Sequence, residues 1–200
     1  LTQIVENIFE ILPVNDTLKG IYLINNAGTI SPIGPIGDVS QEAIVSSLHV
    51  NLTAAFLLTA TFIRLCQSLP VTKRVISLTS GAAKTAYEGW AAYCTAKAGI
   101  DAMTRTIGLE QKRREFPVEI LAVAPGVVDT PMQTQIRATT EGIFPMQPKF
   151  IDLYAKGILA TPKQVALQLY DLLFSDDFLF SPTTFYISYL SININIINFY

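Results

Sequence analysis

Apolar residues along this chain fall into two patterns that alternate, helical stripes and short unbroken runs. Ile4, Val5, Ile8, Phe9, Ile11 and Leu12 recur at three- and four-residue spacing and stop at Pro13, which predicts a helix over 4–12. Ile21 to Ile24 is wholly apolar, as expected of a strand buried on both faces, and a Gly/Pro-rich loop follows from Ser31 to Gly37. Asp38 to about Leu69 predicts one long helix, capped by Asp38 or Ser40 and halted by Pro70. Arg74 to Thr79 predicts the next strand, Glu88 to about Glu115 a second long helix, and Val118 to Ala124 a third strand. Thr161-Pro162 opens a last helix to about Leu173, with proline at its first position.

Strands alternating with long helices predict an α/β fold, a doubly wound parallel sheet that binds ligands at the carboxyl ends of its strands. Asn25, Ser80 and Pro125 each follow or end a predicted strand, so they are expected to line one crevice. Two hundred residues suit one domain, assigned to 1–177, with 178–200 as an atypical tail; no repeat or linker divides the chain.

Composition narrows the function. Half of the residues are hydrophobic, 15% are charged and the formal net charge is -2, which provides no basic field for nucleic acid or an anionic membrane. Cys66 and Cys94 lack CxxC or Cys/His ligand spacing, so neither a disulfide framework nor a metal site is expected, and a reducing cytoplasm fits best. The first residues do not form a signal peptide. The lone histidine, His49, has no paired acid or cysteine beside it and is assigned no chemistry.

The chemistry lies in Ser80, Tyr93 and Lys97, spaced by thirteen and four residues. A tyrosine and a lysine four apart share a helix face. A neighbouring ammonium is expected to draw the phenol down from its usual pKa of about 10, so that Tyr93 trades a proton near neutral pH. Ser80, at a strand end, can hydrogen-bond a substrate oxygen on which negative charge develops. By itself Tyr-x-x-x-Lys also describes a half-buried aromatic beside a snorkelling lysine. Here it stands in an ordered set: Leu23-Ile24-Asn25-Asn26-Ala27-Gly28, Val50-Asn51-Leu52, Val75 to Ser80, the Tyr/Lys helix, then Val123-Ala124-Pro125-Gly126-Val127-Val128-Asp129-Thr130. That set resembles the short-chain dehydrogenase/reductase family over about residues 1 to 175. Within it, Ile24 to Thr29, Gly89 to Thr95 and Asp129 to Arg137 look like sepiapterin reductase and benzil reductase proteins.

The resemblance implies a carbonyl reductase using NADP (NADPH), with a small-molecule carbonyl substrate and a homodimer in the complete form. It makes Tyr93 the general acid, Lys97 the partner that lowers its pKa and holds the nicotinamide ribose, and Ser80 the residue that positions the carbonyl. Asn51 corresponds to a residue that interrupts helical bonding to hold a relay water. Asn25, Ala27 and Gly28 match a turn that is structural as much as cofactor-binding. Pro125, Gly126, Val128 and Thr130 would meet the nicotinamide, while Trp90, Met132, Gln133 and the segment to about Leu159 would form the substrate pocket and lid. A 3-oxoacyl reductase is the nearest alternative, and a non-catalytic partial chain is another. The latter arises because the Gly-rich turn of a nucleotide-binding sheet has no counterpart here: Gly34-Pro35-Ile36-Gly37 follows a loop, not a strand. Set against the family, residue 1 falls within the helix before the fourth strand, about 60 residues in. The tail from Phe178 has no family counterpart, and alternating Ile and Asn over 192–198 suggests a strand or an altered chain end.

Overall fold

The computed structural model describes residues 1–13, 15, 17–176, 178 and 184–186. In chain order it contains α1 (Thr2–Ile11), β1 (Gly20–Asn25), α2 (Gln41–Leu48), a π-helical turn (His49–Thr53), α3 (Ala54–Cys66) and β2 (Thr72–Leu78). There follow a 3-10 turn (Gly81–Ala83), α4 (Ala91–Gln111), β3 (Glu119–Ala124), α5 (Pro131–Arg137), α6 (Gln147–Ala155), α7 (Pro162–Phe174) and β4 (Thr184–Tyr186). The strands form one parallel sheet in the order β1-β2-β3-β4.

Unbroken apolar runs build β2 and β3 because both of their faces are covered, whereas β1, expected to be buried on both faces, is half-buried at Ile21, Tyr22 and Leu23 and exposed at Ile24. Side chains alternate across a strand. Val75, Ile120 and Ala122 therefore pack with Phe62 and Cys66 of α3 and Ile100 and Met103 of α4, while Ile76, Leu121 and Val123 pack on Val165, Leu169 and Leu172 of α7. Each fully buried aliphatic side chain contributes about 1.5–3 kcal/mol. Neighbouring strands hold this alternation in register, Leu23 opposite Val75 and Val75 opposite Ile120.

Two expected helix starts need correction. The helix expected from Asp38 starts at Gln41: Ser40 is its N-cap, accepting from Ala43 N–H at 3.2 Å, while Asp38 N–H closes a turn onto Pro35 O. Within it, the interruption that the resemblance implies at Asn51 takes the form of a π-helical turn, in which Ala54 N–H reaches back five residues to His49 O. The helix expected from Glu88 begins at Ala91, because Gly89 takes the left-handed φ of +82° and Trp90 N–H turns back onto Tyr87 O. At α7 the expectation holds: Pro162 follows a capping box in which Thr161 Oγ1 accepts from Gln164 N–H and Gln164 Oε1 from Thr161 N–H. Within the tail, Thr184–Tyr186 pair in parallel with Ala122–Ala124. The Ile/Asn stretch at 192–198 lies outside the described residues.

By length and composition alone, the 26-residue run Gln41–Cys66, which holds an 18-residue window of mean hydropathy 1.6, is long and apolar enough to cross a membrane. In the fold it buries Ala55, Thr59, Phe62 and Cys66 on one side and exposes Val45, Phe56 and Leu57 on the other.

Candidate active site

The site is assembled at the carboxyl end of β2. Thr79 N–H continues the ladder onto Val123 O at 2.9 Å, and the next residue, Ser80, turns the chain by capping the 3-10 turn, its Oγ accepting from Ala82 N–H at 3.2 Å. The chain returns as α4, whose first buried turns carry Tyr93 and Lys97. Thr79 Oγ1 donates to Lys97 O at 3.2 Å, and Lys97 Nζ donates to Leu78 O at 2.9 Å. Strand end and helix are thereby fastened at two levels, and Lys97 Nζ lies 5.6 Å from the centre of the Tyr93 ring.

The electrostatics differ from the sequence expectation. Burial pushes the Tyr93 hydroxyl above the usual phenol range; a hydrogen bond with Ser80 opposes that shift and Cys94 adds to it. Burial likewise pushes Lys97 down to about 8, with Asp101 opposing. Desolvation favours the neutral form of each group. Tyr93 is therefore a protonated phenol at neutral pH, an acid ready to donate, rather than a phenol drawn down by its lysine.

Asn51 occupies the π-helical turn and is 2% exposed. Its Oδ1 accepts from Thr29 N–H at 2.9 Å, and its Nδ2 donates to Thr29 O at 2.8 Å and to Ser47 Oγ at 3.2 Å. Both ends of the carboxamide are engaged, clamping the loop after β1. That clamp brings Gly28 to the site: a Cβ there would stand 3.2 Å from Asn51 Oδ1 and 3.8 Å from Lys97 Nζ. Ala27 and Gly28 are exposed, whereas Asn25 is buried and donates to Thr59 Oγ1 at 2.9 Å and Ser77 Oγ at 3.0 Å. Asn25 thus ties α3 to two strands, the structural half of its expected role.

After β3, Gly126 takes φ +75°, which favours glycine. Beyond it, Ala160 N–H donates to Val127 O at 3.1 Å and Asp129 N–H to Ala160 O at 2.8 Å. Alternation then turns the amide and carbonyl of Val128 to the opposite side. Thr130 stands at the N-cap of α5 with no side-chain capping bond. Trp90 is 4% exposed and stacks on Phe144 at 4.5 Å, with Phe150 at 5.4 Å and Tyr93 at 5.6 Å. Met132 packs on this cluster, and Gln133 is buried on α5. Sequence reasoning missed Thr29, Phe144 and Phe150, which long-range contacts bring in, and Ser47, which meets Asn51 from one helical turn away; Asp101 alone continues a visible spacing.

The family model described as short chain dehydrogenase matches residues 3–141. A benzil reductase ((S)-benzoin forming) of Bacillus cereus is 44% identical over 163 residues, covering 82% of this chain and 66% of that protein. A sepiapterin reductase of Meriones unguiculatus is 31% identical over 185 residues, covering 89% and 67%. The chain spans about two thirds of the length of the curated relatives it matches. Among solved structures, an NAD+-bound xylitol dehydrogenase superposes with a TM-score of 0.74 at 21% identity, over 93% of this chain and 72% of that one, a likeness of fold.

Proposed function

Because this chain belongs to the short-chain dehydrogenase family, we propose that it acts as a nicotinamide-dependent carbonyl reductase of the benzil or sepiapterin reductase kind. One observation carries the proposal: a buried phenol and a buried ammonium, one helical turn apart, stand at the strand end that presents Ser80. The nicotinamide fits beside them. Gly28 leaves open the space that any Cβ would fill next to Lys97, and the outward backbone of Val128 faces away from its pairing with Ala160.

The bound cofactor supplies the hydride. Ser80 hydrogen-bonds the carbonyl oxygen, and Tyr93 donates its proton to that oxygen as charge develops there. Lys97 has three N–H donors, and its one hydrogen bond among the described residues goes to Leu78 O. The other donors are available to the ribose hydroxyls, and the positive charge stabilises the phenolate that proton donation leaves. Asn51 fixes the loop carrying Gly28 and, at an interrupted helix turn, joins the proton relay. Trp90, Met132 and Gln133 line the substrate side, with α5 and α6 as its lid. We assign NADPH as the donor, a small aromatic or pteridine ketone as substrate, and a homodimer formed through the exposed apolar face of α2 and α3.

The test is Tyr93→Phe in the full-length protein. NADPH-dependent reduction of benzil or sepiapterin should fall by about 10²- to 10⁴-fold while circular dichroism is unchanged. Near-normal turnover would remove Tyr93 from the reaction.

A further inference from the structure

Asp101 lies one turn beyond Lys97 on the buried side of α4, so Tyr93, Lys97 and Asp101 form one stripe at four-residue spacing. It is 2% exposed, and neither carboxylate oxygen has a hydrogen-bond partner among the described residues. A buried carboxylate costs several kcal/mol in desolvation unless hydrogen bonds or opposite charge offset it. The offset here comes from charge. Lys84 Nζ, from the segment after β2, lies 3.1 Å from Asp101 Oδ2, and Lys97 stands one turn away on the same helix.

We propose that Asp101 is a positioning residue for Lys97: its carboxylate holds that lysine in the ammonium form needed beside Tyr93, and Lys84 shares the same negative charge and so sets how much of it Lys97 feels. The inference rests on the role given to Lys97 above. The groups around that ammonium are few. Tyr93 faces it from α4, Leu78 O from β2, and Gly28 from the loop that Asn51 clamps; Asp101 acts on it by charge from one turn along α4, Lys84 acts through Asp101, and Cys94 acts on Tyr93. Burial works against the charge on Lys97, and Asp101 opposes it.

The test follows the lysine directly, by carbon-13 NMR of lysine Cε as a function of pH in the full-length protein, with the Lys97 signal assigned by its loss in Lys97→Met. Asp101→Asn should lower the Lys97 midpoint by about one pH unit or more, a tenfold or larger loss of the ammonium form above the new midpoint. Lys84→Met removes a like charge and should raise the midpoint. Asp101→Glu should restore it. In carbonyl reduction the alkaline limb of the pH profile should move down with Asp101→Asn. A purely structural Asp101 would lower Tm and leave the midpoint in place; that result, or a shift of the same sign in both Asp101→Asn and Lys84→Met, overturns the proposal. If Asp101→Asn does not fold, Lys84→Met decides, an unmoved midpoint counting against the proposal and a raised one for it. The NMR midpoint needs no turnover. Opposite shifts in a protein that reduces no carbonyl would therefore sink the reductase function and leave the coupling of Asp101 to Lys97 standing.

Discussion

Two buried lysines stand near opposite ends of β2, and they are held in opposite ways. Lys73, in the first turn of pleat, is 2% exposed; its Nζ donates to Leu69 O at 2.5 Å, to Phe116 O at 3.0 Å and to Gln67 O at 3.5 Å. Lys97, against the far end of the strand, donates to Leu78 O. Burial lowers the pKa of both. A perturbed pKa therefore does not separate the reagent from the fastener. The count of engaged donors does, because an ammonium has three and Lys73 has placed all of them on backbone carbonyls that end α3 and precede β3.

The widest gap between the two should appear in catalysis. Lys97→Met is expected to lower kcat/KM for carbonyl reduction in the full-length protein by about 10²-fold or more with circular dichroism unchanged. Steady-state kinetics that stay within a factor of ten of the parent would erase the contrast. Lys73→Met should do the reverse. Removing a cation from buried carbonyls is expected to cost about 2–4 kcal/mol in urea unfolding, with kcat per folded molecule intact. An equal loss of kcat would make Lys73 more than a fastener.

The smallest effect is in the pH dependence of stability. Lys97 titrates at about 8 in the fold, below the value of about 10.4 in an unfolded chain, so between those values the unfolded state binds more protons. Stability therefore gains as pH rises from about 8 to 10, by about 2 kcal/mol from this one group. Lys97→Met should flatten that rise, leaving the part of the same sign due to Lys73, whose pKa is also lowered. Urea midpoints at several pH values measure it, and an identical slope in the variant would mean that the buried ammonium costs nothing.

What could be read from the sequence is what local pattern controls. Val75 and Ile76, or Ile120 and Leu121, announce a strand covered on both faces, and Thr161-Pro162 with Gln164 announces a helix start. The order of motifs likewise put Ser80, Tyr93 and Lys97 at one strand end. Features set by distant partners were not legible. Local pattern in His49-Val50-Asn51-Leu52-Thr53 holds no helix breaker, and the interruption at Asn51 was implied by the family resemblance alone; the break accompanies an amide clamp onto Thr29, 22 residues away. A lysine four residues from a tyrosine predicts attraction, but the desolvation that outweighs it depends on Trp90 and the rings of Phe144 and Phe150 behind it. Asp101 was visible as a third member of the stripe, yet an acid on a helix reads as surface until the packing shows otherwise. Helices α5 and α6, each opened near a proline and short, lie in a segment whose sequence suggested only a lid.

The π-helical turn at His49–Thr53 acts as a phase shifter in an otherwise continuous rod. An α-helix advances about 100° per residue, so one extra residue in a turn rotates everything before it by that angle relative to everything after. Upstream, Ser47 meets Asn51 and the loop clamp; downstream, Thr59 and Phe62 meet the sheet. Loss of any single residue between 49 and 53 would straighten the hydrogen-bond ladder, which looks like an improvement in helix geometry, and would rotate Ser47 and the turns before it against Thr59 and Phe62. Length in this turn is thus under tighter constraint than the identity of most of its side chains, and a one-residue deletion there would shift the Gly28 loop relative to α4 without touching either.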